Sequence, residues 1–144
     1  MSAIDEIRER LAAYPRAKVE LGADEVCVLP ADATGFSVSI SRTEANYVVS
    51  FEGWHEHFSN PAEAKDCFAF GLIGPCRLEV GYRGTTPVSW TLQIRKDERW
   101  ETDSKVGLLI TPFWRSWSSA AKSNAGRDDI DSPMNGFPGG HFQA

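Results

Sequence analysis

One stretch of strictly alternating apolar and polar residues, with a second stretch close behind it, constrains the fold more than any other feature of this sequence. Residues 36–41, Phe-Ser-Val-Ser-Ile-Ser, place every second side chain on one face, and in residues 46–52 the apolar Tyr47, Val49 and Phe51 also fall on one face. Successive side chains of a β-strand point to opposite faces, so each stretch predicts a strand with one buried face. The short polar gap between them predicts an antiparallel hairpin.

Helix signals lie on both sides of this hairpin. Apolar residues recur three and four positions apart between Ser2 and about Tyr14, with Ser2 as the cap and Pro15 as the stop. A second helix is predicted to begin after Asn60, because asparagine is a favoured cap and Pro61 suits the first helical position. Gly-Pro at positions 74–75 predicts its end.

Four further segments predict strands: 25–29, 77–83, 88–95 and 100–112, the last with an irregularity near Ser104. The predicted order is therefore α-β-β-β-α-β-β-β. Strands joined by short loops and segregated from helices are typical of the α+β class. We expect an antiparallel sheet of about five to six strands with two helices.

The composition changes near residue 118. Residues 1–117 are predicted to form a single α+β domain, whereas 118–144 are rich in Ser, Gly, Asn, Asp and Pro. Such a segment buries too little apolar area to offset the entropy lost on ordering, so 118–144 are predicted to be a disordered polar tail.

Charge and cysteine content exclude several classes of protein. The net charge is −5 and no basic stripe is visible in the sequence, so we expect no nucleic-acid partner. No apolar run approaches the ~20 residues that span a bilayer, so no membrane partner is expected. The three cysteines without paired spacing and the absence of a secretory leader predict a cytoplasmic protein.

The densest group of reactive side chains is Trp54-His55-Glu56-His57-Phe58. Its spacing matches no common zinc pattern, so we expect a loop, with no metal and no cofactor. The alternative is a metal-dependent or thiol enzyme centred on His55 and His57. Cys76, at a strand entrance, is the cysteine expected to be exposed in that case.

The aromatic run at residues 112–117 ends the predicted ordered part of the chain. Trp114, Arg115 and Trp117 are of the residue types that dominate protein interfaces, so they predict a surface for a protein partner or for self-association. The competing interpretation is that Phe113 and one tryptophan close the open edge of the core. Together with Trp54, His55 and His57 they are the candidate binding residues.

A polar sheet face offers a further candidate surface. It is predicted to be solvated and held by cross-strand charge pairs, with recognition as the alternative. Its members, as the alternation places them, are Ser37, Ser39, Ser41, Ser50, Glu52, Arg77, Glu79, Arg83, Thr91, Gln93 and Arg95.

Several short strings resemble a group of small uncharacterised bacterial proteins with no known activity. The similarity covers residues 45–117, and no catalytic or binding residue follows from it. The strings are Trp54–Phe58, Cys67–Leu72, Arg77-Leu78, Tyr82–Gly84, Trp90, Gly107–Leu109 and Pro112–Arg115.

No catalytic signature stands out in this chain. We therefore predict a non-catalytic interaction domain or a domain that binds a small ligand, and not an enzyme.

Overall fold

In the computed structural model, two antiparallel sheets and two helices enclose one core. The structure describes residues 2–108, 112, 114–124, 127 and 129–130. The elements are α1 (Ala3–Leu11), β1 (Val19–Leu21), β2 (Glu25–Val28), β3 (Val38–Arg42), β4 (Tyr47–Phe51), β5 (Trp54–Phe58), α2 (Pro61–Ile73), β6 (Cys76–Arg83), β7 (Thr86–Lys96), β8 (Arg99–Gly107) and β9 (Trp117–Lys122).

The first sheet has the order β1-β2-β3-β4-β5, and the second has the order β8-β7-β6-β9. The predicted α+β class is confirmed, and the element order broadly agrees with the prediction. The structure differs in having two sheets instead of one. It also adds strands at β1, at β5 and at β9, none of which was predicted.

Both helices begin where the sequence predicts. The Ser2 hydroxyl accepts a hydrogen bond from the Asp5 amide, and the Asp5 carboxylate accepts one from the Ser2 amide, which forms a capping box at α1. Asn60 caps α2 by accepting from the amides of Ala62 and Glu63. These caps satisfy amides that have no partner inside a helix.

The hairpin predicted from the alternating pattern is β3–β4. Val38 lies opposite Phe51 and Ile40 lies opposite Val49, and all four side chains are fully buried. Both helices cover this same face of the first sheet, because α1 contacts β2 and β3 while α2 contacts β3, β4 and β5. An ion pair between Glu6 and Lys65 joins the helices to each other.

The first sheet meets the second at the β4–β5 turn. Glu52, at φ 55°, accepts hydrogen bonds from the Trp90 indole at 2.9 Å and from Lys122 Nζ at 2.7 Å. The buried Trp54 indole donates to the Ser104 hydroxyl at 2.8 Å. Three polar contacts and a continuous apolar core therefore hold the two sheets together.

The prediction of a disordered tail from residue 118 is wrong for the residues that the structure describes. Residues 118–122 belong to β9, which pairs with β6, and Asn124 and Ile130 are buried. The Asn124 amide group accepts from the Phe36 amide and donates to the carbonyls of Phe36 and Gly71. The remainder of the predicted tail, 131–144, lies outside the described residues.

In the part of the chain that the structure describes, no helix is long and apolar enough to cross a bilayer.

Candidate binding surface

The histidines lie on a strand and not in the loop that the sequence predicted. In β5, His55 pairs with Ser50 and His57 with Val48, and both imidazoles are exposed on the face opposite the helices. Their ring centroids are 6.0 Å apart. Within the described residues, no group of three His, Cys, Asp or Glu side chains is arranged to hold a metal ion.

Trp54 lies on the opposite face of the same strand, fully buried, and stacks at 4.7 Å against Phe51. A partner has no access to it. Its role is to fill the core and to bond the second sheet through Ser104. Of the three candidate binding residues in this string, only the histidines therefore lie at the surface.

The thiols are poorly placed for nucleophilic chemistry. Cys76 was expected to be the exposed cysteine, yet it is only 2% exposed, and its thiol faces the Phe70 carbonyl at 3.5 Å. Burial raises the pKa of Cys76 to about 12 and raises the pKa of Cys67 well above its ordinary value. Burial, followed by Glu20 and Glu25, also raises the pKa of Cys27. Because the thiolate is the reactive form, none of the three is activated.

We expect the native protein to react slowly with a chromogenic disulfide reagent at about pH 8, through Cys27 alone. Cys67 and Cys76 should react only after unfolding in urea, because both are buried and both keep their protons. The measurement is a thiol titration with and without urea. Cys27→Ser, as the control, should abolish the native reaction. Rapid native labelling of Cys76 would show that the strand entrance opens.

The exposed tryptophans indicate a binding surface on the second sheet. Trp114 is 72% exposed and Trp117 is 50% exposed, so neither closes the edge of the core. Trp117 opens β9 opposite Arg83, whose guanidinium carbon lies 5.1 Å from the indole centroid. Arg115 lies against the β6–β7 turn, since a Cβ placed on Gly84 would come within 3.0 Å of Arg115 Cδ.

Gly81 allows the Trp117 ring to approach the β6 backbone closely. A Cβ at position 81 would fall 2.9 Å from Cζ2 of Trp117 and closer still to another ring atom. The benzene ring of the indole therefore lies against the backbone at Gly81, while half of the side chain stays exposed. A side chain at this position would push the ring away from the sheet.

A second tryptophan occupies the far corner of the same face. Trp100 lies opposite Arg95, and the guanidinium carbons of Arg77 and Arg95 are 4.3 Å and 5.8 Å from its ring centroid. Arg77 is itself oriented by a 2.6 Å hydrogen bond from Nε to the Gln93 side chain. Such stacking of a guanidinium on an indole is a favourable cation–π arrangement.

Strand alternation places these groups on the face that points away from the core. The outer face of the second sheet, as the name is used below, is defined by six side chains: Arg77, Arg83, Arg95, Trp100, Lys105 and Trp117. Leu78, Val80 and Leu92 occupy the opposite, buried face. On the four strands, Glu79 is the carboxylate that shares the outer face with these four cations.

Sequence analysis found part of this surface. The polar positions of β6 and β7 were predicted to share one face with the serines of β3 and β4, but the structure divides them between two sheets. Glu52 belongs to neither face and lies at the junction of the sheets. Trp100 and Lys105 were missed, because placing them opposite Arg95 and Thr91 requires the register of the β7–β8 hairpin.

Comparison with protein-family models, with curated proteins and with solved structures gave no match, so the resemblance to small bacterial proteins stays a prediction.

Proposed function

We propose that this chain is a non-catalytic binding domain that holds a polyanionic partner on the outer face of the second sheet. The observation that carries the proposal is the pairing of indoles with guanidinium groups at two corners of that face, where Trp117 is half exposed and Trp100 is partly buried. Arginine and tryptophan are the residues most enriched among those that dominate binding energy. Within the described residues, nothing covers Arg95 or Lys105, and Trp117 is half exposed.

The charge of this face is opposite to that of the whole chain. The protein carries a net charge of −5, yet four cations and one carboxylate line the outer face. At physiological ionic strength, charges more than about 8 Å apart are largely screened from each other. A bound anion therefore experiences mainly the local cations and not the acidic residues of the first sheet and α1.

The enzyme alternative has no comparable support. His55 and His57 are exposed, no third ligand accompanies them in the described part of the chain, and the two buried cysteines keep their protons. A general base must lie within hydrogen-bond reach of the group it activates. Here the register of β4 and β5 places Ser50 opposite His55, which by itself does not make that contact.

Retention on a heparin column tests the proposal. We expect the protein to bind at low salt despite its negative net charge, and we expect Arg83→Glu with Arg95→Glu to abolish retention, because the face then loses its positive charge. A control variant, Arg42→Glu with Lys18→Glu, makes the same change of charge at two exposed positions that lie outside the second sheet. It should elute close to the wild type. Equal loss of retention in both variants, or no retention of the wild type, would contradict the proposal.

A further inference from the structure

We infer that the polyanion is a single-stranded nucleic acid, whose bases stack on the indoles of the outer face while its phosphates lie along the arginines. This inference rests on the proposed function and specifies its partner. It departs from the expectation of no nucleic-acid partner, which was drawn from the net charge of the whole chain, because the sheet register brings four cations together on one face. Single-stranded RNA and single-stranded DNA both carry unpaired bases and phosphates. The outer face is suited to these two groups, so the inference covers both kinds of strand.

The two tryptophans provide flat surfaces of the kind that unpaired bases use. Trp117 is 50% exposed, and the guanidinium carbon of Arg83 lies over its ring at 5.1 Å from the centroid. At the other corner, Trp100 is partly buried and the guanidinium of Arg77 lies over its ring at 4.3 Å, so a base there would stack on the guanidinium or on the exposed part of the ring. Bases stack on aromatic rings and on guanidinium planes alike, which makes both corners suitable.

The distance between the corners suits a short strand. Trp100 is level with Arg95 on β7, whereas Trp117 is level with Arg83 near the other end of β6, three strands away. With about 3.3 Å per residue and about 4.8 Å per strand, the diagonal is roughly 30 Å. That length accommodates several nucleotides, in line with the roughly 4–16 that one small single-strand-binding fold occupies.

The centre of the outer face favours nucleic acid over a protein partner. Between the two tryptophans the strands present hydroxyl, amide and carboxylate groups, from Glu79, Thr91, Gln93 and Ser119, and no large aliphatic side chain. Protein interfaces show the opposite arrangement, with an apolar centre and a polar rim. Polar groups between stacking rings instead match the edges of unpaired bases, which carry donors and acceptors.

A duplex fits this face poorly. The bases of a double helix are stacked on each other, so indoles and guanidinium groups on a sheet surface cannot reach the faces of those bases. Direct contact with base edges in a duplex requires an element that enters a groove, and the strands of this face form a broad surface. Single strands are therefore expected to bind more tightly than duplexes of equal length.

The test is fluorescence anisotropy with labelled oligonucleotides of about 12 residues, as single-stranded RNA, single-stranded DNA and duplex DNA. We expect both single strands to bind more tightly than the duplex. Trp100→Ala and Trp117→Ala should each weaken binding by about tenfold, and Phe at either position should restore most of the affinity because it still stacks. Arg83→Gln should lower the slope of log K against log salt by about 0.7.

Lys96→Gln is the matched control for charge, because Lys96 lies on the same hairpin but shares the opposite face with Glu101 and Ile94. It should leave affinity and salt slope unchanged. Circular dichroism of each variant confirms that it is folded; a tryptophan variant that does not fold is replaced in the test by Arg83→Gln and Arg95→Gln.

Polyglutamate of matched charge separates this inference from the proposed function. Strong binding of polyglutamate with weak binding of oligonucleotides would overturn the inference and leave the polyanion-binding function standing. Binding of neither would remove both. Affinity for single strands that is unchanged in both Trp→Ala variants, or equal affinity for duplex and single strand, would also overturn the inference.

Discussion

Replacing Asn124 and Ile130 together with alanine is expected to unfold most of the protein at room temperature. Ile130 is 1% exposed within the core, and truncating a buried isoleucine costs about 2–5 kcal/mol. Removing Asn124 takes a partner from three buried backbone groups, the Phe36 amide and the carbonyls of Phe36 and Gly71, and each group left unsatisfied costs about 1–3 kcal/mol. The sum is comparable to the whole stability of a domain, about 5–15 kcal/mol.

Urea denaturation followed by circular dichroism measures each effect. The single variants should lower the free energy of unfolding by about 2–5 kcal/mol each. Asn46→Ala is the matched control, since Asn46 is exposed and its hydrogen bonds to the Thr43 hydroxyl use the backbone amide and carbonyl. Its cost should stay within about 0.5 kcal/mol. If the double variant were as stable as the wild type, the Asn124 and Ile130 side chains would contribute nothing to the free energy of unfolding.

These two positions also show where sequence reasoning fails. The segment after Ser116 reads as polar and poor in β-formers, and its strand forms because β6 offers a free edge for six paired residues. Ile130 is one apolar residue in a polar stretch, so no periodicity marks it as core. Contacts between residues far apart in the sequence determine both the formation of β9 and the burial of Ile130. Such contacts cannot be predicted from the local sequence pattern.

Elements that depend on residues close together in the chain were predicted correctly. The caps at Ser2 and Asn60 and the hairpin β3–β4 depend on residues within a few positions of each other. The irregularity predicted near Ser104 is present as a register shift that leaves Asp103 unpaired in β8. Strand β5 was not predicted because three consecutive polar residues, His55-Glu56-His57, separate its apolar residues Trp54 and Phe58, so no apolar alternation is visible.

The candidate surface was found in part for the same reason. Arg77 and Arg95 could be assigned to a polar face from alternation within their strands, but Trp100 required the register across the β7–β8 turn. That turn has two residues, Asp97 and Glu98, both at positive φ, a conformation usually marked by Asn-Gly. Without that mark, the alignment of Trp100 with Arg95 could not be predicted. The negative net charge of the whole chain likewise gave no indication that the outer face of the second sheet is basic.

Introducing a methyl group at Gly53 is expected to destabilise the protein by about 1–3 kcal/mol through overpacking at the junction of the sheets. A Cβ at this position would lie 2.5 Å from Cζ2 of Trp90 and closer to two other atoms of the ring. The indole cannot move freely, because its Nε1 donates to Glu52, which also accepts from Lys122. Gly53 is therefore required for close approach, and no positive φ is involved.

A double-mutant cycle identifies Trp90 as the cause. Trp90→Leu removes the ring atoms that the new methyl group meets, so Gly53→Ala should cost at least about 1 kcal/mol less in that background. Gly22→Ala is the matched control, since its Cβ would meet only ordinary contacts from 3.6 Å outward, and it should change stability by less than about 0.5 kcal/mol. Equal costs of Gly53→Ala with and without the Trp90 ring would show that the sheets are not joined through this contact. Because Gly53 and Trp90 lie on the core side of the second sheet, neither variant should alter binding at the outer face while the protein remains folded.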